Sequence, residues 1–140
     1  MNLYYKIKWK IKDAYWGFRK RCQRFKRGYS WGDVWDMDIW FMETIKPMLI
    51  HLRDYGIGCP AELYNEEDDS GEAWKKVLTE MIDCLEFMDE DKVYERLGFG
   101  DLDSRHRIAI EDIKTVYNIR ENNKNRFFEL FSKHFYDLWD

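Results

Sequence analysis

Apolar residues recur at intervals of three and four along most of this 140-residue chain, and this spacing constrains the fold more than any other feature. Such spacing places apolar side chains on one face of an α-helix. Only two prolines and eight glycines interrupt the chain, which disfavours β-sandwiches, collagen-like repeats and low-complexity sequence. The sequence therefore predicts an all-α fold, a compact bundle of about four helices, because each apolar stripe must pack against another.

The first predicted helix occupies residues 1–27 and is strongly basic. Residues 5–11 also alternate between polar and apolar with period two, which leaves a short strand as the alternative there. The helical interpretation is preferred because the three-four pattern continues to Phe25, and Gly28 then interrupts it. The apolar positions of this helix are Tyr4, Ile7, Ile11, Tyr15, Phe18, Cys22 and Phe25.

The second predicted helix has a start signal, an apolar stripe and a stop signal. Ser30 and Asp33 have the spacing of a capping box, in which each side chain accepts the other residue's backbone N–H. The stripe runs through Tyr55 to Gly56, where we expect a left-handed stop. Pro47 removes one backbone donor and crowds the preceding turn. The sequence therefore predicts one long, kinked helix that bends about one turn before Pro47.

Further helices are predicted beyond a loop at residues 56–69. They begin near residue 70 and near residue 103, with a short helical turn at residues 91–97 between them. The last helix reaches residue 138, but residues 120–126 (RENNKNR) contain no apolar side chain. This polar band is either an exposed helical stretch or a break between two helices.

Charge is distributed unevenly along the chain. Residues 1–28 hold ten basic residues and one acidic residue, a net charge of +9, whereas residues 29–140 hold 13 basic and 26 acidic residues, a net charge of −13. The sequence thus predicts a basic amphipathic N-terminal helix (1–28) and an acidic helical body (29–140) within a single domain overall. The basic helix either docks on the acidic body, binds nucleic acid or an anionic membrane, or binds a protein partner.

No motif predicts catalysis, a metal site or a cofactor. The three histidines fall on separate elements, and the cysteine spacing matches no zinc pattern. Asp33 and Asp36 lie three residues apart, but helix capping explains them better than acid–base chemistry does. Three widely spaced cysteines indicate reduced thiols and a cytoplasmic location. We therefore expect a protein that is not an enzyme.

Residues 27–40 concentrate aromatic and charged side chains and form the candidate binding region. Tryptophan and tyrosine are enriched at interfaces and stack on flat ligands, and arginine forms charge-assisted hydrogen bonds with phosphate. For Trp35, a place in the core beneath the aromatic stripe of residues 127–139 is favoured over a place in the site. The candidate ligand- or partner-binding residues are Arg27, Tyr29, Trp31, Asp33, Trp35, Asp36, Trp40 and Arg53.

Residues 25–60 carry an Arg-Gly-aromatic-Ser turn followed by Asp-x-Trp, and the chain ends with a Leu-Trp pair. In these features the chain resembles a family of small helical proteins encoded by bacteriophages of Gram-positive gut bacteria. The resemblance implies a phage source and a location in the cytoplasm of the infected bacterial host, and it implies no reaction. The family's recurrent residues map to Arg27, Gly28, Tyr29, Ser30, Asp33, Trp35, Asp38 and Trp139.

Two functions follow from these features as hypotheses. The first is a non-enzymatic phage accessory protein that antagonises host defence, either by sequestering a nucleotide-like signal or by blocking a host protein. The alternative is a structural or surface-associating phage protein whose basic helix, residues 1–27, binds nucleic acid or an anionic membrane. Assembly into a homo-oligomer is compatible with both.

Overall fold

The computed structural model describes residues 3–64, 71–99 and 109–139, and every regular element in these ranges is helical. The prediction of an all-α fold is confirmed, whereas the compact bundle of about four helices stays a prediction. The helices in chain order are α1 (Leu3–Arg27), α2 (Trp31–Trp35), α3 (Met37–Tyr55), α4 (Glu72–Met88), α5 (Glu90–Arg96) and α6 (Ile110–Lys133), with 3-10 turns at Ala61–Leu63 and Phe135–Asp137.

α1 confirms the first predicted helix and shows that residues 5–11 are helical, not extended. The helix ends at Arg27 because Gly28 adopts a φ of 79°, a left-handed conformation that glycine reaches without steric cost. The Gly28 amide donates to the carbonyl oxygen of Arg24 at 2.8 Å. A local sequence signal thus fixes the end of this helix.

The prediction of one long helix from Ser30 to Tyr55 is wrong, because two helices occupy this range. Ser30 caps the first of them as expected, but the chain leaves the helical conformation at Asp36, with φ −119° and ψ 55°. α2 is held on α1 by its own side chains, and α3 begins at Met37. α3 continues through Pro47, and the kink expected there stays a prediction.

Gly56 ends α3, but not through the left-handed conformation that the sequence suggested. The glycines with positive φ in the described residues are Gly28, Gly71 and Gly98. The Gly56 amide donates to the carbonyl oxygen of Leu52 at 2.9 Å, and a Cβ atom at position 56 would lie 2.3 Å from that same oxygen. Glycine is therefore required at this position by a close backbone approach.

The later helices agree closely with the predicted ones. α4 and α5 lie where they were expected, and α6 runs through residues 120–126, so the polar band is helical. The expected starts near residues 70 and 103 fall outside the described residues. α6 ends at Lys133, earlier than predicted, because a 3-10 turn follows, in which the Asp137 amide donates to the carbonyl oxygen of His134 at 3.0 Å.

Contacts between Cα atoms divide the chain into unit 1, residues 1–41, and unit 2, residues 42–140. The predicted boundary after residue 28 is therefore displaced, since α2 and the first turn of α3 belong with α1. Unit 1 holds ten basic and four acidic residues, whereas unit 2 holds 13 basic and 23 acidic residues. Each unit keeps the sign of charge that the sequence analysis assigned to its part of the chain, and the single-domain organisation stays a prediction.

The core of unit 2 forms around α4 and α6, which pair more extensively than any other two described helices. α5 packs against both of them. Arg120 ties the helices together, because its guanidinium donates to the Met88 carbonyl oxygen at 2.9 Å and to the Glu90 carboxylate at 2.7 Å. The buried apolar residues are Leu49, Trp74, Leu78, Met81, Ile82, Cys84, Leu85, Val93, Val116, Phe127 and Leu130.

Candidate functional site

α2 is anchored to α1 by the side chains of Asp33 and Arg24. The Arg24 guanidinium donates to the Asp33 carboxylate from Nε to Oδ2 at 2.9 Å and from Nη2 to Oδ1 at 2.6 Å. The carboxylate also accepts the Ser30 amide at 2.7 Å, and the Ser30 hydroxyl accepts the Asp33 amide at 3.4 Å, which confirms the capping box. The hydrogen bond from Arg24 holds the pKa of the Asp33 carboxyl below its ordinary range. Asp33 is thus buried and hydrogen-bonded to other residues of unit 1, so it holds α2 in place and does not itself contact a ligand.

The structure brings three of the candidate residues together at the same junction. The Arg27 guanidinium carbon lies 5.1 Å from the centroid of the Tyr29 ring and 5.3 Å from that of the Trp31 ring, distances at which a cation attracts an aromatic face. The backbone amide of Trp31 donates to Oε1 of Gln23 at 3.0 Å, which fixes the start of α2 against α1. Both rings remain exposed to solvent.

A cleft of about 230 Å³ opens beside this junction, between α1 and the start of α2. At the edge of the cleft, the Arg19 guanidinium carbon lies 5.3 Å from the centroid of the Trp16 ring. The Lys20 side chain lies close to Gly32, because a Cβ atom at position 32 would be 3.0 Å from Cε and Nζ of Lys20. The lining residues are Trp16, Arg19, Lys20, Gln23, Trp31 and Gly32.

Trp16, Lys20 and Gln23 were not among the residues that the sequence predicted for the site. A signal for them was present, since their spacing of four and three places them on one face of α1. With 100° between successive residues, that face lies opposite the apolar positions Ile7, Ile11 and Tyr15 of α1. The structure shows that α2 packs on this polar-aromatic face, and this partner was not evident from periodicity.

The placement of Trp35 corrects the expectation that it belongs to the core, because its side chain is 86% exposed. The buried face of α2 is the one that carries Asp33 toward α1, and Trp35 lies on a different face. Asp36 ends α2, and its carbonyl oxygen accepts the amide of Trp40 at 2.9 Å, while the Trp40 side chain is half-buried. The aromatic stripe of residues 127–139 packs within unit 2, where α6 pairs with α4.

Arg53 belongs to unit 2, and the structure defines no site that joins it to Arg27. Its guanidinium donates to the neighbouring Asp54 carboxylate, from Nε to Oδ1 at 2.8 Å, and this hydrogen bond raises the pKa of Arg53. Arg53 also lines a cavity of about 290 Å³ together with Trp74 and the half-buried thiol of Cys59. A phosphate site formed by Arg53 with the N-terminal arginine therefore stays a prediction.

Unit 2 also contains an apolar cavity of about 590 Å³ between α3 and the end of α6. Among the described residues that line it, His51 alone is titratable, and its ring lies 5.0 Å from that of Tyr55. The lining residues are Ile45, Pro47, Met48, Leu49, His51, Leu52, Phe131, Phe135, Leu138 and Trp139.

The face of α1 opposite α2 exposes an apolar surface. We call this surface the apolar stripe and define it by five exposed side chains. They lie on one helix face because they are separated by four, four, three and seven residues. The apolar stripe consists of Ile7, Ile11, Tyr15, Phe18 and Phe25.

Exposed cations border both edges of the apolar stripe. Lys8, Arg19 and Lys26 follow one edge at intervals of 11 and seven residues, and Lys10 and Arg21 follow the other edge at an interval of 11. Unit 1 thus presents an apolar surface between two rows of positive charge.

Within residues 3–64, 71–99 and 109–139, no three His, Cys, Asp or Glu side chains are placed to hold a metal ion. None of the helices in these ranges is long and apolar enough to cross a membrane. Comparison of the chain with protein-family models, with curated proteins and with solved structures finds no match, so the resemblance to the phage family stays a prediction.

Proposed function

We propose that this protein is a non-enzymatic binding protein that associates with anionic membrane surfaces through α1. The observation that carries the proposal is the exposed apolar stripe of α1 between two rows of cations. A helix with this cross-section lies in the plane of the membrane interface, with its apolar face in the acyl boundary and its cations among the headgroups. The proposal takes up the surface-associating alternative from the sequence analysis.

The position of α2 supports this orientation. Asp33 and Trp31 of α2 bond to Arg24 and Gln23 on the opposite face of α1, so α2 does not cover the apolar stripe. The side chains of Ile11 and Phe18 remain 66% and 69% exposed. Exposed apolar surface that is contiguous and bordered by polar residues marks an interaction site in soluble proteins.

An anionic membrane contacts both the apolar side chains and the flanking cations of this surface, whereas nucleic acid contacts only the cations. Basic residues contact the phosphates of nucleic acid, but that contact leaves the large side chains of the apolar stripe in water. Each large apolar side chain contributes about 1.5–3 kcal/mol when it is fully buried. Each basic residue near an anionic surface contributes about 1 kcal/mol more.

Vesicle co-sedimentation of the full chain tests the proposal. Vesicles of mixed phosphatidylglycerol and phosphatidylcholine should bind the protein, and vesicles of phosphatidylcholine alone should bind it far more weakly. The double variant Ile11→Gln/Phe18→Gln removes two apolar side chains that membrane binding would bury, at about 1.5 kcal/mol or more each. The partition coefficient should then fall about 100-fold, since each 1.4 kcal/mol is a factor of ten.

Trp9 offers a matched control on the same helix. Its side chain is 57% exposed, comparable to the two anchors, but it lies on the opposite face. The variant Trp9→Gln should therefore change vesicle binding by less than threefold. Equal losses in the Trp9 variant and the double variant would show that the apolar stripe does not carry the binding. Equal binding to both kinds of vesicle, or tight duplex-DNA binding that the double variant retains, would also contradict the proposal.

In this proposal the protein acts at the inner membrane surface in the cytoplasm of an infected bacterial host, as the phage resemblance implies. The cytoplasmic leaflet supplies the required anionic lipids. The sequestration of a nucleotide-like signal that antagonises host defence is a second candidate function. It is favoured by one specific observation, the cleft of tryptophans and cations between α1 and α2.

A further inference from the structure

We infer that the cleft between α1 and α2 binds a free nucleotide, with the base against the tryptophan rings and the phosphate at Lys20. This site lies on the face of α1 opposite the apolar stripe, so a membrane that covers the stripe does not cover the cleft. The inference is thus independent of membrane association and adds a ligand to it.

Two exposed tryptophans supply the surface for a flat ring. Trp16 and Trp31 both line the cleft, and their side chains remain 45% and 61% exposed. The backbone of Trp31 is held by the hydrogen bond from its amide to Gln23, and the Arg27 guanidinium lies over its ring. A ring that is fixed before the ligand arrives loses little conformational freedom on binding. Stacking on such a ring is worth more for a base than for a saturated group.

Lys20 supplies a positive charge to the cleft. Within the described residues, the neighbouring Arg24 is neutralised by Asp33, whereas Lys20 has no carboxylate within ion-pair distance. Gly32 makes room for this amine, because a Cβ atom there would lie 3.0 Å from Nζ. Arg19 adds a second positive charge at the edge of the cleft. A phosphate next to the stacked base would pair with these cations.

The size of the cleft limits the ligand. Its volume of about 230 Å³ is below the range of about 300–1,000 Å³ for pockets that enclose a whole drug-sized ligand. The cleft therefore holds one ring and its phosphate and leaves the rest of the molecule in solvent. This geometry fits a mononucleotide, and it also fits one unpaired nucleotide of a single strand, so the test must distinguish the two.

Nuclear magnetic resonance of the tryptophan indole N–H signals tests the inference on the full chain. Adenosine monophosphate should shift the signals of Trp16 and Trp31 and leave that of Trp35 in place. Adenosine and inorganic phosphate should each bind at least tenfold more weakly, because each makes only half of the contacts. Equal binding of inorganic phosphate would reveal a simple anion site and overturn the inference.

The variants Trp31→Ala and Trp35→Ala form a matched pair, because both remove an exposed tryptophan from α2. The first should weaken adenosine monophosphate binding at least tenfold and the second by less than twofold. Lys20→Gln should reduce the affinity for adenosine monophosphate to that for adenosine. Equal effects of the two tryptophan variants, or absence of indole shifts at millimolar ligand, would refute the site.

Two further measurements separate this inference from others. A short single-stranded oligonucleotide that binds more than tenfold tighter than adenosine monophosphate would assign the cleft to nucleic acid and overturn the free-nucleotide ligand. Vesicle binding by Trp31→Ala and Lys20→Gln should stay within threefold of the unmodified protein. Loss of nucleotide binding with vesicle binding retained would therefore support the cleft independently of the proposed function.

Discussion

Replacing Trp74 with alanine should destabilise the protein far more than the same replacement at Trp35. Trp35 was expected in the core, but its side chain is 86% exposed, whereas that of Trp74 is only 3% exposed. Trp74 lies on α4 in the core of unit 2, where its ring centroid is 5.3 Å from that of the buried His134. The two variants make the same chemical change at opposite extremes of burial.

The exposed fractions give the expected magnitudes. A tryptophan buries up to about 250 Å² when it is fully enclosed, at about 25 cal/mol per Å². Trp35 buries only the remaining one-seventh of its surface, so its removal should cost less than about 1 kcal/mol. Trp74 is almost fully enclosed, and its replacement also leaves a cavity, so the loss should be about 3–5 kcal/mol. That loss is a large part of a typical unfolding free energy of about 5–15 kcal/mol.

Urea denaturation followed by far-ultraviolet circular dichroism measures both losses. The midpoint for Trp74→Ala should fall strongly with an unchanged slope, and the midpoint for Trp35→Ala should stay close to that of the unmodified protein. A loss of about 2 kcal/mol or more at Trp35, against the ~1 kcal/mol ceiling for its small buried area, would show that its ring is packed against other residues. Equal losses at the two positions would refute the assignment of the core to α4 and α6.

Two further predictions concern α1 and its junction with α2. Gly28→Ala should destabilise the protein by about 1–2 kcal/mol, because alanine is strained at a φ of 79°. Gly17→Ala, within α1, should stabilise it by about 0.5–1 kcal/mol. Denaturant midpoints of the two variants that move in the same direction would contradict this. Asp33→Asn should lower the melting temperature at neutral pH. The pKa of Asp33 is lowered in the folded protein, so the ionised carboxylate stabilises the fold at pH values above the ordinary pKa of an aspartate, and this stabilisation is lost in acid. The gap between the two melting temperatures should therefore close as the pH falls below about 4, and a gap that widens in acid would rule out this role for the pair with Arg24.

The sequence by itself determined most of the local structure. Helix starts and stops depend on neighbouring residues, so the Ser30 capping box and the interruption at Gly28 were readable from the chain. The positions of α1, α4 and α5 followed from apolar periodicity for the same reason. The apolar stripe and its flanking cations were also implied by spacing alone, and they carry the proposed function.

Tertiary structure alone decided which helix faces are covered and which side chains meet. Arg24 and Asp33 are nine residues apart, and their pairing turns one face of α2 toward α1 and leaves Trp35 in solvent. The same packing brings Trp31 beside Lys20 and creates a cleft that no local pattern predicts. Periodicity shows that a helix has an apolar or aromatic face, but burial depends on the partner that packs there, and that partner is chosen by the free energy of the whole fold.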